Sequence, residues 1–242
     1  MAKILYAKSI VESKISDLTQ KSHRLTKRGL TPKLSVILVG SNPASLLYIR
    51  NKREFCKKIG ASFELVELPE SISPEKFIFE INKLNNDPLV TGCFVQLPVP
   101  QQLTTINITQ LINPAKDVDG FHLNTVKDLY MNNLAGIVPC TPKGIITLLN
   151  ENRIEIKGQD IVVIGRSHIV GKPLALLLQA LDATVTLCHS KTRDLKKHTK
   201  AADIIISAVG VPHLIDQSYI NLNGKQIAVS YTHLRAHETR HD

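Results

Sequence analysis

The stretch Ile161-Val-Val-Ile-Gly-Arg-Ser-His-Ile-Val-Gly-Lys-Pro173 most narrows what this chain can become, because an apolar run breaks into a glycine-containing loop and resumes as a helical pattern over 174–181. Strand, loop and helix in that order are the start of a βαβ unit. Gly165 and Gly171 permit close backbone approach, and the N–H groups that open the helix form a site for an anion such as a nucleotide phosphate. The spacing Gly165-x-Ser167-x-x-x-Gly171-x-Pro173 departs from the three-glycine dinucleotide fingerprint, and a plain βα turn fits it as well. The next segment favours the nucleotide. A second strand, Ala183-Thr-Val-Thr-Leu187, ends roughly 20 residues past the loop, where an NAD site places Asp or Glu. Here stand His189, Ser190, Lys191 and Arg193, with Arg166 in the loop itself. Cations and hydroxyls suit the 2′-phosphate of NADP, which an acid would repel.

Upstream, strand and helix patterns alternate. Ile10, Val11, Ile15, Leu18 and Leu25 fall at helical spacing and predict a helix over 8–28, stopped by Gly29. A buried-type strand is expected over 34–39; Asn42-Pro43 then opens a helix to residue 59, ended by Gly60. A strand over 63–68, a helix over 74–85 and a strand over 90–95 continue the alternation, which predicts a parallel sheet. The last of these strands runs into Gln96-Leu-Pro-Val-Pro100 at the carboxyl edge, the usual ligand side of an open sheet. Pro139-Cys-Thr-Pro142 precedes a helix over 143–150, and further strands are expected over 203–207 and 226–229. The expected fold class is therefore two α/β domains. An N-terminal parallel-sheet substrate domain occupies 1–138, and a C-terminal Rossmann-type NADP-binding domain occupies 139–229, with no internal repeat. After Val229 the pattern fails.

The 242 residues, 43% hydrophobic and 21% charged, can form a sizeable core. No apolar run reaches membrane-spanning length and the N-terminus lacks a signal-peptide pattern, so a cytoplasmic protein without membrane partners is expected. Cys56, Cys93, Cys140 and Cys188 are far apart, without metal-ligand spacing, and are read as reduced thiols. The net charge of +9 is spread over many segments, and with no Trp for stacking it points to small polyanionic ligands rather than nucleic acid.

On the helix from Pro43, the residues Tyr48, Lys52, Phe55, Cys56 and Ile59 share one face. Lys52 there either snorkels to solvent or, oriented by Tyr48 and partly buried, exchanges protons near neutral pH. In Lys116-Asp-Val-Asp-Gly-Phe-His122 a structural turn, a poor metal site with His122, and a carboxylate gripping an amino-heterocycle are all open for Asp117 and Asp119.

Taken together, Tyr48-x-x-x-Lys52, Val95-Gln-Leu-Pro-Val-Pro100, Lys116-Asp-Val-Asp-Gly-Phe-His122, Pro139-Cys-Thr-Pro142 and Gly165-Arg-Ser-x-x-Val-Gly-x-Pro173 resemble the bifunctional methylenetetrahydrofolate dehydrogenase/cyclohydrolase family. The resemblance runs in unbroken order to about residue 229. It implies tetrahydrofolate one-carbon derivatives as substrates, NADP as cofactor, and a homodimer. It further implies that Lys52 is the catalytic lysine, that Tyr48 stacks on the folate, that Gln96 hydrogen-bonds Lys52, and that Asp119 grips the pterin. Gly165, Arg166, Ser167 and Ser190 fall at the cofactor, with Arg166 and Ser190 on the 2′-phosphate. A shikimate-dehydrogenase-like NADP oxidoreductase and a nucleotide-binding protein without catalysis are the rival readings. Residues 230–242 depart from the family, lacking its glycine- and proline-rich loop and final helix, and read as a foreign tail without fixed packing or metal.

Overall fold

The computed structural model describes residues 7–211, 214–221 and 226–230. The expectation for the tail lies outside these, save that Ser230 ends the last strand. The chain divides into two compact units, 1–124 and 125–242. The boundary read from the sequence, 138/139, lies further along the chain.

In the first unit α1 (Lys8–Thr26) leads to β1 (Lys33–Val39), α2 (Pro43–Ile59), β2 (Ser62–Leu68), α3 (Pro74–Asn86) and β3 (Gly92–Val95). The three strands are parallel in the order β2-β1-β3. β1 is central and buried on both faces, and successive side chains divide between them. Val36 and Leu38 join Ile49 of α2 and Phe94 of β3 on one face. Ile37 and Val39 join Phe77, Ile81 and Leu84 of α3 on the other, where 3-10 turns at Gln101–Leu103 and Ile108–Gln110 bring in Leu103 and Ile108. Both packed helices begin as the sequence dictates. Asn42 Oδ1 accepts the Ser45 N–H at 3.2 Å and Ser73 Oγ accepts that of Lys76 at 3.4 Å, each just ahead of a proline whose missing N–H costs nothing in a first turn. At the end of α2, Gly60 takes φ +72°, which closes the helix in the left-handed conformation. Lys33, Glu64 and Ser35 fasten β1 to β2: Ser35 Oγ donates to Glu64 Oε2 at 2.7 Å and Lys33 Nζ lies 2.9 Å from the same oxygen.

The second unit contains α4 (Leu123–Tyr130, which begins just before the division), α5 (Cys140–Glu151), β4 (Asp160–Ile164), α6 (Gly171–Ala180), β5 (Thr184–Cys188), α7 (Leu195–Ala201), β6 (Ile204–Ser207) and β7 (Ile227–Ser230). Its strands are parallel in the order β5-β4-β6-β7. The same arrangement therefore recurs: in each unit the first strand is central, with the next on one side and the third on the other. Nothing in the sequence repeats to announce it.

Departures from expectation are local. Strand β3 starts at Gly92 rather than at 90 because Asp87 accepts the Leu89 and Val90 N–H groups in a turn. Helices α5 and α6 start three residues earlier than their apolar patterns, with Pro142 and Pro173 in their first turns. Helices α4 and α7 are too short for a clear periodic signal; α7 is capped by Asp194, which accepts the Lys197 N–H. No helix among the described residues is long and apolar enough to cross a membrane.

Phe77 is fully buried between α3 and the sheet. Phe77→Ala should cost about 3–5 kcal/mol, a large share of the stability of a domain, read as a lowered urea midpoint in the transition that reports the first unit.

Candidate active site

In open parallel sheets, ligands bind beyond the carboxyl ends of the strands where the chain turns first to one side and then to the other. In the first unit that point lies past β1 and β3. Phe94 and Gln96 are two residues apart in extended chain, with the Gln96 N–H still bonded to Ile37 O at 2.9 Å, so they share the face covered by α2. Lys52 stands one turn beyond Ile49, which packs on that face, and Tyr48 one turn before Lys52; both are half-buried. The Lys52 Nζ lies 3.6 Å from the centroid of the Phe94 ring. Phe94 had no place among the residues singled out from the sequence. An aromatic in an apolar strand reads as core, and only its position two residues before Gln96 gave a signal.

The loop after Lys116 is built against β3. The Cys93 N–H donates to Lys116 O at 2.8 Å and Asp117 bridges to Cys93, while Lys116 Nζ donates to Leu84 O at 2.9 Å and Asp87 O at 2.6 Å. Val118 sits directly over Gly92, where any Cβ would strike it. The two aspartates have separate uses. Asp117 is buried and its carboxylate accepts the N–H groups of Gly120 at 3.1 Å and His122 at 2.7 Å, so it holds the turn, and His122 Nδ1 accepts the Asn124 N–H. Among the described residues no cluster of His, Cys, Asp and Glu could hold a metal ion. Asp119 is half-buried; burial raises its pKa, the nearby Lys52 charge opposes the rise, and the Asp117 charge adds to it. The structure thus brings Lys52, Phe94 and Asp119 together.

Gln96 calls for a correction. Its Nε2 donates to Leu97 O at 2.8 Å, which fixes the amide orientation, and its buried Oε1 accepts no hydrogen bond. The expected bond from Lys52 to this oxygen is not made, and Nζ lies over the Phe94 ring. Gln96 keeps an acceptor open at the sheet edge.

In the second unit the corresponding point comes after β4. Gly165 has φ +115° and donates to Cys188 O at 2.8 Å; a Cβ there would meet Ala208 O at 2.7 Å, and one on Gly171 would strike Gly165 O. Only glycines fit both positions. Ser167 Oγ accepts the N–H groups of Val170 at 3.2 Å and Gly171 at 3.3 Å, and Ser167 O accepts that of Lys172 at 3.0 Å. The helix N-terminus expected to present free N–H groups is therefore satisfied by the loop itself. What Ser167 retains toward a ligand is its hydroxyl hydrogen. Past β5, the His189 N–H donates to Thr192 Oγ1 at 2.8 Å and the Lys191 N–H to His189 Nδ1 at 3.2 Å, a turn that leaves Ser190, Lys191 and Arg193 exposed. Because Ile164 pairs with Cys188, Arg166 and Ser190 lie just past neighbouring strand ends. The glycine cradle and this acid-free set of donors fit a dinucleotide that carries a 2′-phosphate.

Two parallel α/β units, one with a lysine–carboxylate site and one with a nucleotide cradle, define a two-domain oxidoreductase. Residues 5–119 match the model of the tetrahydrofolate dehydrogenase/cyclohydrolase catalytic domain, and residues 139–240 match that of the NAD(P)-binding domain of the same enzymes. The chain belongs to the tetrahydrofolate dehydrogenase/cyclohydrolase family. The second match continues past Val229, where the strand and helix pattern of the sequence fails. A bifunctional protein FolD 2 of Geobacter sulfurreducens is 44% identical over 220 residues, 91% of this chain and 77% of the relative. A 5,10-methylenetetrahydrofolate dehydrogenase of the silkworm Bombyx mori superposes with TM-score 0.89 at 36% identity, covering 95% of this chain and 82% of that one. The Trypanosoma brucei methylenetetrahydrofolate dehydrogenase-cyclohydrolase, solved with NADP and an inhibitor, gives 0.87 at 33% identity, covering 93% and 77%. Against these, a shikimate 5-dehydrogenase of Thermus thermophilus reaches only 0.53 at 12% identity, a likeness of fold alone.

Asp119 makes the site costly above acid pH. With its folded pKa raised by burial, the native state holds a proton that the unfolded chain releases. Its contribution to stability is full below the ordinary carboxylate range and is lost as pH rises through the raised value. Asp119→Asn should therefore melt higher than the parent at pH 7, with the gain vanishing in acid; equal midpoints at both pH values would contradict the assignment.

Proposed function

We propose that this chain oxidises 5,10-methylenetetrahydrofolate to the 5,10-methenyl cation with NADP and adds water to give 10-formyltetrahydrofolate. What carries the reading beyond family membership is the Lys52–Phe94–Asp119 grouping at the carboxyl edge of the first sheet. Asp119 accepts hydrogen bonds from the amino-heterocycle of the pterin, and its raised pKa lets it take or share a proton there. Tyr48, one turn from Lys52, stacks on the folate, and the open Gln96 acceptor receives a donor from it. Gly165 gives the pyrophosphate close approach, the Ser167 hydroxyl donates to it, and Arg166 and Ser190 bind the 2′-phosphate of NADP, which supplies the hydride acceptor when bound. The substrate cation that results disfavours an ammonium beside it, so the Lys52 amine becomes the base that removes a proton from the attacking water. Water adds to the methenyl carbon as Lys52 takes one proton; the bond from that carbon to N5 then breaks with its electron pair, N5 takes the hydroxyl proton, and the carbon stays on N10 as the formyl group. The domain division at 138/139, a cytoplasmic setting and a homodimer complete the proposal; the exposed Phe79 beside the open edge strand β2 offers such a pair an apolar surface.

Lys52→Met fills the same space without a proton to exchange. It should abolish cyclohydrolase turnover while circular dichroism stays unchanged, and Lys52→Arg should fail as well, because guanidinium stays protonated. Full turnover in either would sink the assignment. Arg166 is exposed, so Arg166→Ala should leave the fold intact. It should weaken NADP roughly 10- to 100-fold, one charge-assisted contact of about 1.5–3 kcal/mol, with NAD binding unchanged. Equal losses for the two cofactors in a binding titration would show that Arg166 does not read the 2′-phosphate.

A further inference from the structure

We infer that Phe94 is a positioning residue for Lys52: the face of its ring holds the ammonium at the carboxyl edge of the first sheet and lets go of the neutral amine. The inference rests on the reading of Lys52 as the proton-transfer group. Nζ lies 3.6 Å from the ring centroid, and the ring itself is only 4% exposed. Its place is fixed twice, by the pairing of Phe94 with Val36 in the sheet and by packing in the cluster of Val36, Leu38, Ile49 and Val118. Val118 lies between Asp117 and Asp119, so the cluster that seats the ring also seats the loop that carries the carboxylate.

A lysine amine ends a flexible four-carbon stem and needs a hold if it is to act from one place. Asp119 feels the Lys52 charge, and so does the Cys56 thiol on α2. Tyr48 is one turn away. Of the charged groups on the strands beneath α2, Lys33 and Glu64 are engaged with each other and Glu67 is exposed. Helix α1 meets α2 at its far end, through Thr19 to Lys58 O and Ser22 to Gly60 O. Asp117 is taken up by its own turn. The ring differs from every one of these groups in kind, because it attracts the cation through its quadrupole and offers the amine nothing once the proton has gone. Holding the ammonium also raises the cost of removing its proton, by roughly one pH unit for a desolvated ring face. The Phe94 face positions the charged form and releases the neutral form toward substrate.

The test compares Phe94→Leu, which keeps an apolar filler, with Phe94→Tyr, which keeps a ring; Phe94→Met replaces the first should Leu fail to fold. Two quantities are followed: the Lys52 side-chain NMR titration in the free protein, assigned with Lys52→Met, and the pH profile of cyclohydrolase kcat. Loss of the ring should move the Lys52 midpoint and the acidic limb of kcat down by about one pH unit, roughly tenfold less ammonium at a given pH. Phe94→Tyr should leave both in place. A Lys52 titration unmoved in Phe94→Leu, with kcat lowered evenly at all pH, overturns the inference. A titration that moves while the kcat limb stays fixed overturns instead the reading of Lys52 on which it rests.

Discussion

Both units obey one constraint: the first strand is central and its parallel neighbours are added on opposite sides. Parallel strands need crossovers that return to the starting end, so the connections leaving the central strand and its later neighbour diverge at the carboxyl edge. In the first unit it receives Gln96 and the loop of Asp117 to Gly120; in the second it receives the Gly165 loop and the turn of His189 to Thr192. The loops beyond the strand ends give one topology two chemistries.

The first edge carries its charges at a cost that the surrounding structure offsets. Asp117 could not stay buried as a carboxylate without partners, and two backbone N–H groups of its own turn provide them. That turn projects Asp119, whose carboxyl is held in surroundings that favour its neutral form. Gln96 Oε1 is left without a partner, a condition worth about 1–3 kcal/mol of lost stability in a buried acceptor. Penalties of this kind persist where a ligand relieves them. Among the described residues of the unit the other buried side-chain polar atoms are matched, and in the Ser35–Glu64–Lys33 group the Ser35 hydroxyl first and the Lys33 ammonium second hold the Glu64 carboxyl below its usual pKa.

Much of this could be read before any coordinates. Helix α2 runs over the expected residues because Asn42, Pro43 and Gly60 are strong local signals that no tertiary contact contradicts. The alternation of strand and helix gave the parallel sheets, and the glycines at 165 and 171 stand where only glycine fits. The partition of roles within the motifs was less legible. Asp117 and Asp119 are alike in the sequence, and only the bridge to Cys93 decides which carboxylate turns inward. Ser167 reads as a ligand donor, yet its oxygen closes the loop on α6. Lys52 is expected to meet Gln96, but its ammonium lies over the ring of Phe94, through a contact between β3 and α2 that sequence spacing does not encode. Periodicity reports which face of an element is covered. Which two side chains meet across elements depends on packing, and a cation–ring contact leaves no local trace.

Each unit is expected to bind its own ligand at its own sheet edge, and hydrogen–deuterium exchange reads the two edges separately. NADP added to the 242-residue chain should slow exchange in peptides spanning 165–171 and 189–193, and a tetrahydrofolate should slow exchange in 94–97 and 117–122. Protection of the same edge by both ligands, or protection that leaves these four segments unchanged, would show that the two units do not divide the ligands in this way.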